Sequence, residues 1–233
     1  MTTLLLIDTS GPVAGVALMK DGEVCYEAMA VNAFTHSQSI LPMAEEAYAR
    51  TGLSIDETDY FAATVGPGSF TGVRIGVSTV KALAHAQGKP CIAVDALESM
   101  AAGVAPFDGV ICPIQDARAG QVYGAVFEGK TLARLAEDEP LKLEDYVQRA
   151  AAFGRPMLFL GDGMPVHREA IASLLGEEAF FAPAHLCYLR PAAAAYLAWN
   201  CREAAVDYLS LQPLYLRAPQ AERQRNLKVQ GHV

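Results

Sequence analysis

The sequence predicts an α/β protein with two lobes of related design. Short apolar runs of strand length recur along the 233 residues and alternate with longer segments of helical spacing. A group of strands followed by helices occurs before residue 105, and a second round follows it. We therefore predict a first lobe over residues 1–105, a second lobe over 106–217, and a flexible tail over 218–233.

The first lobe opens with three consecutive strands, so it departs from a simple strand–helix alternation. Their apolar or alternating runs are Leu4–Ile7, Val13–Met19 and Glu23–Val31. Asp8 and Ser10 stand in the polar turn that follows the first strand. The Asp8 carboxylate is placed to hold a water or a metal-bound phosphate, and it is equally suited to capping the turn.

A helix follows, with Thr35 as its expected N-cap and Gly52 as its expected C-cap. Apolar residues at helical spacing, including Ile40 and Ala47, form a stripe along it. His36 is a candidate ligand or proton carrier, although a histidine in this position is more often an ordinary polar residue at a helix start.

The segment 66–76 contains four glycines and Pro67 and cannot lie inside a helix or strand. It joins a predicted strand, Tyr60–Val65, to a predicted helix, Val73–Gln87, whose N-cap we place at Thr71 or Gly72. Two uses are open. Bare backbone N–H groups at a helix start can hold an anion. Small residues can instead let another chain pack closely.

The second lobe repeats the strands and helices, and its turns are predicted at residues 116–121, 137–140 and 161–163. The predicted strands are Val110–Ile114, Val122–Glu128, Thr131–Leu135 and Met157–Leu160. The predicted helices are Leu143–Phe153, Val166–Leu175 and Pro191–Asp207, after a short helix at Ala96–Ala105 and a strand at Cys91–Val94. Leu214–Arg217 is predicted as a last extended stretch.

Composition limits the function classes. The net charge of -8 argues against a large independent nucleic-acid surface, because phosphate contacts need clustered Lys and Arg. The five cysteines form no C-x-x-C pair, so neither a disulfide framework nor a zinc site is indicated. The apolar run Leu4–Ile7 is too short for a signal peptide, and no segment is long enough to span a bilayer. We expect a cytoplasmic protein that does not contact membranes.

Five motifs are spread in order over nearly the whole chain. They are Ile7-Asp8-Thr9-Ser10, the segment Gly66 to Gly76, Val94-Asp95-Ala96-Leu97-Glu98, Asp116-Ala117-Arg118 with Tyr123, and Pro213-Leu214-Tyr215-Leu216-Arg217. The glycine segment is the most specific of them. Together they resemble the motifs of the TsaB (YeaZ) family.

This resemblance implies the two-lobed actin-like, sugar-kinase, Hsp70 (ASKHA) fold, with mixed sheets flanked by helices. It also implies a non-catalytic subunit required for threonylcarbamoyl transfer to tRNA, at the adenosine next to the anticodon in tRNAs that read codons beginning with A. Such a subunit binds the catalytic paralogue TsaD and the ATPase TsaE. We expect tRNA contact only through that complex, since direct recognition would rest on a tail with Arg223, Arg225 and Lys228.

The resemblance also indicates that a metal site has been lost. The catalytic relative has a His-x-x-x-His pair, and its positions align with Ala96 and Met100, which cannot bind metal as imidazole does. We expect no metal and no cofactor, beyond weak residual ATP or ADP binding. Arg118 fits an anion contact or a salt bridge equally. The nucleotide or anion candidates are Asp8, Ser10, Gly66, Gly68, Arg118, Gly161 and Gly163.

The predicted working surface is formed by the two first-lobe helices, whose small residues would allow a four-helix contact with the paralogue. The same face would form a homodimer when the paralogue is absent. Large side chains at Gly76 and Thr79 are expected to abolish co-purification. The predicted interface residues are His36, Ile40, Met43, Ala47, Thr71, Val73, Gly76, Val77, Thr79 and Val80.

The alternative is a stand-alone enzyme of the same fold. A small-molecule kinase would use Asp8 to hold a metal and Asp95 or Asp116 as base. A glycoprotease-like hydrolase would need two close metal ligands, and the five histidines contain no pair four residues apart.

Overall fold

The structure is a computed structural model that describes residues 1–31 and 35–217. The described residues form ten strands and six α-helices. The strands are Thr3–Asp8 (β1), Val13–Lys20 (β2), Glu23–Val31 (β3), Tyr60–Gly66 (β4), Cys91–Asp95 (β5), Val110–Arg118 (β6), Gln121–Glu128 (β7), Arg134–Lys142 (β8), Met157–Leu160 (β9) and Ala179–Phe181 (β10). The helices are His36–Thr51 (α1), Phe70–Gln87 (α2), Ala96–Ala102 (α3), Leu143–Ala151 (α4), Met164–Leu175 (α5) and Pro191–Asn200 (α6).

The strands form two mixed sheets of the same design. The first has the order β3-β2-β1-β4-β5, and the second has the order β10-β9-β6-β7-β8. In each sheet a central strand pairs antiparallel with the strand that follows it and parallel with a later one: β1 with β2 and β4, and β6 with β7 and β9. The predicted two-lobed α/β class is therefore confirmed.

Strand β1 is buried on both faces, which explains its unbroken apolar run. Leu5 and Ile7 pack with residues of α1 and α2 in one core. Leu4 and Leu6 point the other way, into a core shared with α3, α6 and second-sheet residues such as Phe127. A third core lies between the second sheet and helices α4 and α5.

Several predicted boundaries were wrong, some through a missed local cap and others because strand pairing overrode local signals. Helix α2 begins at Phe70, since its N-cap is Ser69, whose Oγ accepts the Gly72 N–H at 3.2 Å. The predicted turn at residues 116–121 is mostly strand, and the chain reverses at Ala119 and Gly120. The acidic residues 137–140, predicted as a loop, lie in β8 and pair with β7. Pro140 is tolerated there because β8 is an edge strand.

Helix α6 ends at Asn200, short of the predicted Asp207, and it returns to the first lobe. It packs against β1, β2 and α3, and its Ala194, Ala195 and Ala198 are fully buried. The Glu27 carboxylate on β3 accepts hydrogen bonds from the Arg190 guanidinium and from the Ala192 N–H, the latter at 3.0 Å.

The predicted division at residue 105 falls between the two sheets, after α3 and before β6. The contacts of the first lobe nevertheless extend beyond the range 1–105, because α6 and Val206, which pairs with Cys91, lie against its sheet. The predicted tail, 218–233, lies outside the described residues. Within the described part of the chain, no helix combines the length and the apolar character needed to cross a bilayer.

Candidate functional site

The Asp8 carboxylate, at the end of β1, is committed to its own turn. It is 1% exposed, and its Oδ1 accepts hydrogen bonds from the Ser10 N–H at 3.0 Å, the Ser10 hydroxyl at 2.7 Å and the Thr64 hydroxyl. Burial raises the pKa of Asp8, although these hydrogen bonds act in the opposite direction. The geometry shows the capping contact, and nucleotide or anion binding at Asp8, Ser10, Gly66 and Gly68 stays a prediction.

The glycine segment packs against the end of β1 in the same chain. The Ser69 N–H donates to the Ser10 carbonyl at 2.7 Å. A Cβ at Gly68 would stand 2.2 Å from the Ser10 carbonyl oxygen, and one at Gly72 would stand 2.1 Å from the Thr9 carbonyl oxygen. These glycines therefore serve close packing, but of the chain's own backbone.

Six of the ten predicted interface residues are buried in the monomer, so a partner cannot reach their side chains. The reason is that the apolar stripe of an amphipathic helix covers its own sheet first. The Gly76 Cα faces Thr9, and a Cβ there would stand 2.5 Å from Thr9 Oγ1. The buried residues are Ile40, Ala47, Val73, Gly76, Val77 and Val80.

The other four predicted interface residues retain exposure. Thr71 is exposed, and Met43, Thr79 and His36 are half-buried. One ring nitrogen of His36, Nε2, lies 2.9 Å from the Gly11 carbonyl oxygen and donates to it, which ties the start of α1 to the first turn. His36 therefore acts as a structural residue at a helix start.

Residues of α2 form a shallow groove of about 370 Å³, and four of its five lining residues were not among the predicted interface residues. It is lined by Phe70, Thr71, Arg74, Ile75 and Ser78. The Arg74 guanidinium carbon stands 5.2 Å from the centroid of the Phe70 ring, so the Arg74 cation covers the Phe70 wall of the groove. On neighbouring α1, Leu41 is 45% exposed. Reading the polar side of each helix wheel would have found these residues.

The second-lobe candidates lie at the ends of β6 and β9. Arg118 is exposed with a φ of 67°, and it forms no ion pair with any residue that the structure describes, so the salt-bridge alternative is not realised. Gly161 and Gly163 bring the turn after β9 close to β6, and the Gly163 N–H donates to the Ile114 carbonyl at 3.1 Å. Nucleotide or anion binding by these three residues stays a prediction.

Two polar residues that the sequence reasoning missed lie beside them. Gln115 is 2% exposed, and neither atom of its amide has a hydrogen-bond partner among the described residues. A Cβ at Gly68 would stand 3.4 Å from Gln115 Nε2, so the ends of the two sheets meet here. Burial and the neighbouring Asp116 raise the pKa of Asp162 to about 6. The signal in the sequence for Gln115 and Asp162 was their position at the carboxyl ends of buried strands.

The two positions that align with the metal-binding histidines of the catalytic relative carry apolar side chains. Ala96 is 0% exposed and Met100 is 3% exposed, and both belong to the core shared by the two lobes. Across residues 1–31 and 35–217, no three His, Cys, Asp or Glu side chains are grouped so that they could hold a metal ion.

A cluster of charged residues joins the two lobes beside α3. Arg134, on β8, extends its guanidinium to Asp95 at 3.4 Å, to Glu98 at 3.2 Å and to the Asp138 carboxylate. The guanidinium carbon also lies 4.7 Å from the centroid of the Phe127 ring. One cation faces three carboxylates, so this cluster retains excess negative charge when all of them are ionised.

We expect this cluster to make the free energy of unfolding depend on pH. Burial and the neighbouring Asp95 raise the pKa of Asp138 from the ordinary 3.8 to about 8. The folded protein thus keeps a proton that the unfolded chain releases near pH 4, and its stabilising contribution is lost as the pH rises from about 4 to about 8. Asp138→Asn should reduce the fall in unfolding free energy over this interval by roughly 2 kcal/mol or more.

Urea unfolding at a series of pH values measures this effect. The exposed Glu137→Gln on the same strand is the control, and it should follow the wild-type curve. The prediction is wrong if the free energy of unfolding falls equally with pH in Asp138→Asn and in the wild type.

The architecture and its paired mixed sheets define the class of protein: it has the ASKHA fold of actin, sugar kinases and Hsp70. The crystal structure of (R)-2-hydroxyglutaryl-CoA dehydratase component A from Acidaminococcus fermentans superposes with a TM-score of 0.50 and 12% identity, over 86% of this chain and 98% of that chain. This likeness concerns the fold alone.

Closer similarities define the family. A family model described as "TsaD: tRNA N6-adenosine threonylcarbamoyltransferase" matches residues 30–227. The tRNA threonylcarbamoyladenosine biosynthesis protein TsaB of Bacillus subtilis is 36% identical over 222 residues, which cover 94% of this chain and 96% of that protein. The chain belongs to the TsaB family, as its motifs predicted.

A solved structure agrees with this assignment. An uncharacterized protein from Pseudomonas aeruginosa, described as similar to peptidase YEAZ, has a TM-score of 0.77 and 27% identity. The match covers 93% of this chain and 100% of that chain.

Proposed function

We propose that this chain is a non-catalytic subunit of the machinery that transfers threonylcarbamoyl to the adenosine next to the anticodon, in tRNAs reading codons that begin with A. It would act by binding a TsaD-like catalytic paralogue and a TsaE-like ATPase. Membership of a family named for threonylcarbamoyladenosine biosynthesis supports the role in tRNA modification. The observation that carries the proposal of a docking role is the outward face of α1 and α2.

This outward face combines small and apolar residues on two adjacent helices. Helix α2 presents Thr71, Ser78 and the groove around Ile75, and α1 adds Leu41. Small side chains let a second pair of helices approach closely, and specific interfaces bury roughly 1,200–2,000 Å² in total. The paralogue would dock here, and a second copy of this chain would occupy the same face when the paralogue is absent.

A structural role for this chain is further supported by how its polar groups are used. The Oδ1 oxygen of the Asp8 carboxylate accepts three hydrogen bonds from Ser10 and Thr64, which gives this carboxylate a structural role at the end of β1. Any ATP or ADP binding would be weak and residual, near Arg118 and the turn at residues 161–163. The tRNA would be contacted only in the assembled complex, in the cytoplasm.

Reconstitution tests this function. The purified paralogue and its ATPase, supplied with ATP, a threonylcarbamoyl donor and tRNA, should form modified adenosine only when this chain is added. Nucleoside analysis of the digested tRNA measures the product. Arg118→Ala, an exposed change in the second lobe, should leave the yield within about twofold of the wild type.

Two results would contradict the proposal. One is full modification in the absence of this chain. The other is ATP hydrolysis or glycopeptide cleavage by the isolated chain at ordinary enzymatic rates of about 1 per second or faster, which would favour the stand-alone enzyme.

A further inference from the structure

The last described segment, residues 211–217, crosses from the first sheet to the second without forming a helix or a strand. This segment is called the strap below. It follows the return of the chain to the first lobe, and it runs past the ends of β4 and β6. Its contacts are few and specific, which makes its role open to test.

The strap is attached to the first lobe at its beginning and its middle. Leu211 is 1% exposed and joins the core beneath α1 and α2, and the Lys81 ammonium donates to its carbonyl at 3.0 Å. The Leu214 N–H donates to the Val65 carbonyl at 2.7 Å. The Tyr215 ring lies 4.8 Å, centroid to centroid, from the Phe70 ring at the start of α2.

The end of the strap reaches the second lobe. The Arg217 guanidinium donates to the Ala117 carbonyl on β6 at 3.5 Å, which is a long and weak hydrogen bond. Leu214 and Tyr215 are 40% and 44% exposed. Among the described residues, the strap is held to the first lobe by the buried Leu211 side chain, by two hydrogen bonds and by the Tyr215–Phe70 contact. Its hydrogen bond to the second lobe is the weak one from Arg217.

The polar ends of the two sheets meet where the strap crosses. The Leu214 carbonyl oxygen would be 2.7 Å from a Cβ at Gly66, which has a φ of 118°, so only glycine allows this approach. Two residues further on, Gly68 faces the amide of buried Gln115. Ligands of open α/β sheets bind outside the carboxyl ends of their strands, and the strap lies over two such ends.

We propose that the strap covers the facing ends of β4 and β6, so that these ends become accessible when the strap is released. The proposal does not depend on the partner that binds α1 and α2. Its basis is the set of contacts to Val65 and Phe70 on one side and to Ala117 on the other.

Hydrogen–deuterium exchange of the full chain, resolved to individual amides, tests the proposal. Leu214→Pro removes the N–H that binds Val65, and Arg217→Ala removes the contact to the second lobe. The reporters are the Ser69 N–H, bonded to Ser10, and the Gly163 N–H, bonded to Ile114. Leu214→Pro should accelerate exchange at both by at least tenfold, and Arg217→Ala should accelerate it at Gly163 by at least threefold.

Matched controls separate release of the strap from unfolding. Gln212→Ala alters an exposed strap residue whose side chain, among the described residues, bonds only to the Leu209 carbonyl. The amides of this variant should exchange at the wild-type rate. The amides of β1 should remain protected in every variant. If Leu214→Pro also accelerates exchange in β1, this variant has lost part of its fold. The test then rests on the exchange rate at Gly163 in Arg217→Ala. Unchanged exchange at Gly163 in Arg217→Ala, or at both reporters in a folded Leu214→Pro, would overturn the proposal.

Discussion

Replacing Ser78 with tyrosine is expected to weaken binding of the catalytic paralogue at least 100-fold, which corresponds to about 2.7 kcal/mol. Ser78 is exposed on α2 and lines the groove beside Ile75. A phenol ring there occupies the space into which a partner helix would pack, while the core beneath α2 is untouched. The affinity can be measured by calorimetry with the purified paralogue.

The matched control is Ala172→Tyr. Ala172 is likewise a small exposed helical residue, but it lies on α5 in the second lobe. Both variants should unfold at the wild-type temperature. If Ser78→Tyr binds the paralogue as tightly as Ala172→Tyr does, the docking face has been assigned to the wrong surface.

Replacing Gly72 with alanine is expected to destabilise the fold by about 3 kcal/mol or more. Helix propensity alone predicts the opposite sign, since alanine is favoured over glycine within a helix by about 1 kcal/mol. The added Cβ, however, would stand 2.1 Å from the Thr9 carbonyl oxygen, and this backbone atom cannot move away as a flexible side chain can. The free energy of unfolding, measured in urea, shows whether Gly72→Ala stabilises or destabilises the protein.

Gly11→Ala is the control, because no atom of residues 1–31 and 35–217 lies within 4 Å of the added Cβ. It should change the free energy of unfolding by less than about 1 kcal/mol. A Gly72→Ala variant as stable as the wild type would show that α2 can shift away from β1. The same reasoning corrects the use of Gly76 as an interface probe: a large residue there would disturb the contact with Thr9, and lost co-purification would then report misfolding.

Local sequence patterns explain why most of the predicted interface residues turned out to be buried. The helical spacing of Val73, Val77 and Val80 indicates an apolar face on α2, and the structure buries that face. It carries no information on whether the burying surface belongs to the same chain or to a partner. The first sheet of the chain itself takes that face, so the residues available to a partner are those between the apolar positions.

Local sequence determined the strands and helices wherever a short-range signal was sufficient. The run Leu4–Ile7 predicted a buried strand, Thr35 and Gly52 marked the ends of α1, and the ordered motifs identified the family. These features depend on neighbours a few residues apart, so they can be read without the fold.

The tertiary structure alone decided the contacts between distant residues. It turned the acidic residues 137–140 into an edge strand by pairing them with β7, and it returned α6 to the first sheet through Glu27. It also committed Asp8 to Ser10 and Thr64 and set Arg134 between the lobes. Most of these contacts are between residues that lie far apart in the sequence. Such contacts cannot be predicted from local patterns, because burial and strand pairing arise only when the sheets assemble.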